Sequence, residues 1–148
     1  NIDIKKIQME FNKIIAVTGK PGLFNVVSQT KTGVIVESLN DKKRFPITST
    51  QNISMLENIA IYTYEEEVLL LEVFKKIFTK EEGNKSISHK ESSKKLENYF
   101  SEVLPEYDEE RVYTSNIKKV IQWYNILVKA GLDFSKIEST SEEKEVEV

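Results

Sequence analysis

KIIAVTGKPGLFNVVSQTKTGVIVESLNDKKRFPITSTQNISMLENIAIYTY, residues 13–64, is the stretch that decides the fold. Phe11 to Thr18 is apolar and β-branched at Ile14, Ile15 and Val17, which predicts a strand that stops at Gly19. Lys20-Pro21-Gly22-Leu23 then fits a type II turn, because proline presets φ at the first central position and glycine supplies φ > 0 at the second. Leu23 to Gln29 reads as a second strand, Thr30-Lys31-Thr32-Gly33 as a tight turn, and Val34 to Leu39 as a third strand. After the turn Asn40-Asp41-Lys42, Lys43 to Ile47 is a fourth strand, where Pro46 implies an edge or a bulge. Thr48 to Asn58 is polar with a helical look around Ile53-Ser54-Met55-Leu56, and Ile59 to Thr63 reads as a fifth strand.

Four strands, one helical turn and a last strand resemble the layout of SH3-like barrels. The expected fold class is therefore α+β: a small SH3-like five-stranded β-barrel at residues 9–64, followed by a three-helix unit at 65–134. So small a barrel has a marginal core, and the helices are expected to pack on it. The first helix is expected after the acidic run Glu65-Glu66-Glu67, which suits a helix N-terminus. Its stripe is Leu70, Leu71, Phe74, Ile77 and Phe78, and it stops near Gly83. Ser92 or Ser93 caps a second helix with the face Leu96, Tyr99, Phe100, Val103 and Leu104, ended by Pro105. Ser115 caps a third, with the face Ile117, Val120, Ile121, Tyr124 and Leu127 or Val128, and Gly131 is its natural stop. Residues 135–148 read as an acidic disordered tail, with five acids and one lysine from Glu138 onward. Residues 1–8 precede Met9, the first methionine, and carry none of the functional reading.

Composition removes whole classes of chemistry. The absence of cysteine excludes disulfides, thiolate metal sites and cysteine nucleophiles, and fits a cytoplasmic protein. No apolar run approaches the ~20 residues that cross a bilayer, so no membrane partner is expected. Net charge is −3, so a basic footprint over the whole chain is missing, although residues 1–62 carry +3 and residues 63–148 carry −6. Gly19-Lys20-Pro21-Gly22 is too short for a phosphate-binding loop, loses one N–H to proline and leads into a strand instead of a helix. The acids Asp108-Glu109-Glu110 lack the spacing of a calcium loop, and His89 is a lone histidine in a polar run. Neither a catalytic constellation nor a metal or other cofactor is expected.

Binding chemistry is better represented. Lys20, Lys31, Lys42, Lys43 and Arg44 lie at turns of the first unit, interleaved with Phe24, Phe45, Tyr62 and Tyr64. Basic turns with aromatics suit single-stranded nucleic acid, with charge for phosphate and rings for stacking, and the same residues suit peptide recognition in an aromatic-lined groove, unless Phe24 and Phe45 are core. Trp123 falls beside the buried stripe of the third helix, where it either seals a contact or marks a partner surface. The candidate binding surface is thus Lys20, Phe24, Lys31, Lys42, Lys43, Arg44 and Trp123.

KIIAVTGKPGL (13–23), VIVESLNDKKRFP (34–46), VFKKI (73–77) and IKKVIQWYN (117–125) carry a further resemblance. With them the chain is similar to a Bacteroidetes family of short proteins known only as a domain of unknown function. That resemblance spans about Met9 to Leu132, implies the same two-part layout and a cytoplasmic home, and supplies no catalytic residues. The reading is a non-enzymatic binding or adaptor protein that engages another protein. RNA or single-stranded nucleic-acid binding through the basic turns is the alternative, and an enzyme of unrecognised type is a distant third.

Overall fold

The computed structural model describes residues 10–48 and 52–137. By its internal contacts the chain divides into two compact units between Glu57 and Asn58.

In the first unit a 3₁₀ turn, Phe11–Lys13, leads into β1 (Ile14–Val17), β2 (Phe24–Gln29), β3 (Gly33–Ser38), β4 (Arg44–Thr48) and β5 (Ile53–Met55). All pairings are antiparallel, in the order β4-β3-β2-β1-β5. The first four strands and the turns between them follow the sequence pattern. The hydrogen-bonded turn after β1 spans Val17 to Lys20, three residues before the expected one. The Lys20 N–H donates to the Val17 carbonyl at 3.0 Å, with Gly19 at φ 87°, and Gly22 is also left-handed at φ 85°.

The fifth strand corrects the sequence reading. Ile53-Ser54-Met55 alternates apolar, polar, apolar, a period of two that suits a strand. It pairs with β1, and the 3₁₀ turn Leu56–Asn58 follows it instead of preceding it. Among the described residues β4 and β5 are the two edges and do not pair with each other, so the sheet is open and no closed barrel forms. Pro46 lies on one of those edges, as its missing N–H requires.

Register decides which side chains share a face. Ile15 stands opposite Phe24 and Met55, Val36 opposite Val26 and Phe45, and Val34 opposite Ile47. The result is a core of Ile15, Val17, Phe24, Val36 and Ile47, with Val26, Val34 and Phe45 packed on it. Burying each such side chain stabilises the fold by roughly 1.5–3 kcal/mol. The β2–β3 register shifts between Val26 and Ser28, so Val27 forms a bulge that bends the sheet.

The second unit opens with a hairpin of β6 (Ala60–Tyr62) and β7 (Glu67–Leu69). The strand expected at Ile59 to Thr63 is therefore present, but it pairs here and not with the five-stranded sheet. The acidic run is not a helix start, for a local reason. The Thr63 hydroxyl accepts from the Glu66 N–H at 2.9 Å and donates to the Glu66 carbonyl at 2.5 Å. That turn commits Glu67 to Leu69 to pairing back on β6, and α1 (Leu70–Lys80) begins only afterwards.

α2 (Ser93–Val103) starts with Ser92 accepting from the Lys95 N–H at 3.2 Å, one of the two expected caps. α3 (Thr114–Lys129) starts one residue before the expected cap, Ser115. Instead, Asn116 reaches back and accepts from the Tyr113 N–H at 2.8 Å. Gly83 at φ 86° and Gly131 at φ 100° end α1 and α3. A final 3₁₀ turn, Phe134–Lys136, takes up the first residues of the expected tail, and the rest of that tail, 138–148, lies outside the described residues, as do residues 1–8.

An aromatic cluster centres this unit. Phe134 is fully buried, with its ring 5.4 Å from Phe74, 5.7 Å from Phe78 and 5.9 Å from Tyr124. The connection between α1 and α2 is tied to α3. The Tyr124 hydroxyl donates to the Asn84 carbonyl at 2.8 Å, and the Asn125 Oδ1 accepts from the Ser86 N–H at 2.8 Å. Burial pushes the Tyr124 phenol up to about 12. His89 sits half-buried in this connection. Among the described residues no helix is long and apolar enough to cross a membrane.

Candidate protein-interaction site

Four of the sequence-predicted residues come together. The Leu39 N–H donates to the Leu23 carbonyl at 3.1 Å, which ties the β1–β2 connection to the β3–β4 connection at one end of the sheet. Lys20, Lys42, Lys43 and Arg44 lie at that end. The Lys20 Nζ stands 5.3 Å from the centroid of the Phe45 ring, and the Arg44 Nε is 3.4 Å from the Glu37 Oε2. Lys42 holds a left-handed backbone at φ 65°. Lys31, in the β2–β3 turn, is at the opposite end of the sheet.

Phe24 is 4% exposed and belongs to the core, which corrects its place on the candidate surface. Its ring meets Phe45 edge-on at 5.5 Å. Tyr62 and Tyr64 belong to the second unit, whereas the basic turns belong to the first.

Trp123 also belongs to the second unit, and there it meets residues that sequence reasoning did not assemble. Asn116, Lys119 and Trp123 follow the spacing of one helix face, a flank that borders Val120 of the buried stripe of α3. Together with Val120, with Ile59 to Tyr62 of the hairpin and with Arg111 and Val112 they line a cleft of about 270 Å³.

Its geometry is built from the backbone outward. The Asp108 N–H donates to the Tyr62 carbonyl at 2.9 Å, which pins the connection between α2 and α3 along β6. The N–H groups of Arg111 and Val112 both donate to the Asp108 carbonyl, so the chain turns back and buries Val112. The Asp108 carboxylate accepts from the Arg111 Nε at 2.8 Å and from the Glu110 N–H at 2.9 Å. Held this way, the guanidinium lies 4.2 Å from the centroid of the Tyr62 ring. The Arg111 hydrogen bond keeps the Asp108 carboxyl below the usual carboxylate range.

Such a cleft has an apolar floor, two aromatic walls and two cations at its rim. It can take an apolar anchor against Trp123 while Arg111 and Lys119 receive a carboxylate. Sequence reasoning missed Arg111, yet a signal was there. It is the lone cation among Glu106, Asp108, Glu109 and Glu110, and one of two arginines in the chain.

Comparison with known proteins defines the class. Residues 11–56 match a family model described as a domain of unknown function (DUF5606), and residues 59–127 match a second, also a domain of unknown function (DUF6852). The gap between the two matches falls where the two units divide. The chain is also similar to a Bacteroides vulgatus protein whose solution NMR structure was determined as a structural-genomics target. Identity is 43%, the match covers 84% of this chain and 91% of that one, and the TM-score is 0.71. The chain belongs to this uncharacterised Bacteroidetes family. No curated protein matches it.

Proposed function

We propose that this protein is a non-enzymatic, cytoplasmic binding or adaptor module that engages another protein through the cleft of its second unit. One observation carries the reading: Trp123, Tyr62 and Arg111 line a single cleft. Tryptophan, tyrosine and arginine are the residue types that dominate protein-interface hot spots, because each combines a large apolar surface with a polar handle. The expected partner segment presents an apolar side chain to Trp123 and an acid to Arg111 and Lys119. Affinity capture from a Bacteroidetes lysate with the full chain tests this. A stoichiometric protein should be retained by the wild type and lost with Trp123→Ala. Equal capture by both would remove the cleft from the account.

The first unit supports a finer reading as an SH3-like barrel left open between β4 and β5. Only four residues join these edge strands. That link spans at most about 18 Å, whereas a flat sheet of this order would separate its edges by about 19 Å. The sheet must therefore curl.

A second reading rests on the meeting of Lys20, Lys42 and Lys43 at one end of that sheet, beside Phe45. It is single-stranded RNA or DNA binding. Binding of single-stranded RNA at low salt, falling steeply with added salt and abolished by Lys42→Glu with Lys43→Glu, would support it. No binding at low salt would eliminate it.

A further inference from the structure

We propose that the edge of β5, unpaired among the described residues, is a strand-addition site for an extended, aliphatic segment of a partner protein. It stands on different residues from the Trp123 cleft and in the other unit.

Hydrogen-bond phase identifies which groups the edge offers. The Thr18 N–H donates to the Asn52 carbonyl at 3.0 Å, and β1 pairs Ala16 with Ser54. In an antiparallel ladder, bonded and non-bonded pairs alternate. Ser54 therefore bonds inward to β1, while the N–H and C=O groups of Ile53 and Met55 point away from it. The same two residues are 37% and 36% exposed. Beside them lies a groove of about 420 Å³, walled by Ile15, Val26 and Val34 and by Ile53 and Met55 themselves, with Lys13 at its rim.

The opposite edge is blocked by the same logic. The Ser38 N–H donates to the Lys43 carbonyl at 2.9 Å, which places Val36–Phe45 and Val34–Ile47 in bonded pairs. The backbone groups of Arg44 and Pro46 then face away from β3. Proline there removes a donor, a device that keeps edges from pairing. Ile53-Ser54-Met55 has neither proline nor charge.

The occupant follows from size and chemistry. A symmetric β5–β5 pair would set three residues against three, far below the roughly 1,200 Å² of a stable interface. An added strand from a partner bonds to Ile53 and Met55 and turns alternate side chains toward the groove. Aliphatic residues at every second position fit that floor.

Peptide-display selection against the full chain, with amide exchange as a second readout, tests the proposal. Selected peptides should carry aliphatic residues at alternate positions and slow the exchange of the Ile53 and Met55 amides. Met55→Pro removes one outward N–H and leaves the β1 ladder whole, so affinity should fall about tenfold with circular dichroism unchanged. Ile53→Pro should do the same, and Trp123→Ala should leave peptide affinity as it was. Three results would overturn the proposal. They are selected peptides that ignore both prolines, a selection without the alternating pattern, and Ile53 and Met55 amides already protected in the free protein. The last would mean that the chain itself or a second copy covers the edge.

Discussion

Phe134→Ala is the substitution that most sharply tests how the second unit is held together. The ring is fully buried and touches Phe74, Phe78 and Tyr124, one from each side of the gap between α1 and α3 and one from the end of α1. Truncating such a ring costs about 3–5 kcal/mol, the transfer term plus the cavity left behind. Set against a total stability of about 5–15 kcal/mol, that is a large share. Melting should fall by about 15 °C or more. The chain's single tryptophan, Trp123, lies in this unit, so its fluorescence during urea unfolding reports on this unit. Phe134→Leu, which keeps most of the volume, should cost less than half as much. A loss below about 1 kcal/mol for Phe134→Ala would mean that the final 3₁₀ turn is not part of this core.

Three further outcomes follow. Gly33→Ala would place a Cβ 1.9 Å from the Ile47 carbonyl oxygen, so β3 and β4 must separate by more than an ångström. The expected loss is about 2–4 kcal/mol, seen as faster amide exchange at Val34 and Ile47, and unchanged exchange there would refute the close approach. Lys42→Gly relieves a left-handed residue at φ 65° and should stabilise the first unit by up to about 1 kcal/mol in chemical denaturation; destabilisation would show that the Lys42 side chain matters more than its backbone. The Asp108 carboxyl is depressed by Arg111, so their pair contributes fully at neutral pH and is lost as pH falls below about 4. Wild type should therefore exceed Arg111→Gln in stability at pH 6, and the gap should close toward pH 3; a gap that persists there would exclude the ion pair as its source.

Much of the fold is legible because local signals agreed with tertiary demands. Glycines with positive φ at 19, 22, 83 and 131 mark turns and helix ends. Helical spacing from Leu96 to Val103 and from Ile117 to Leu127 marks the buried faces, all of which the structure buries. Where the reading failed, the deciding contact was remote or very short. Ile53 to Met55 carries too few residues to separate strand from helix by period, and its pairing with β1 settles the matter. Glu65 to Glu67 looked like a helix start until the Thr63 hydroxyl closed a turn around it. Phe134 has no periodic neighbours and finds its partners on two distant helices. The candidate cleft was half visible. Trp123 stood out as an aromatic beside a stripe, but Tyr62 and Arg111 join it through the Asp108–Tyr62 backbone bond, which no spacing encodes.

The central claim is that the Tyr62–Arg111–Trp123 cleft is where a protein docks. Photo-crosslinking from position 119, at the rim of that cleft, tests it most directly. With a photoreactive residue replacing Lys119 in Bacteroidetes cells, the account predicts one discrete protein adduct, lost when Trp123→Ala is added. No adduct, an adduct with nucleic acid only, or a protein adduct indifferent to Trp123→Ala would contradict it.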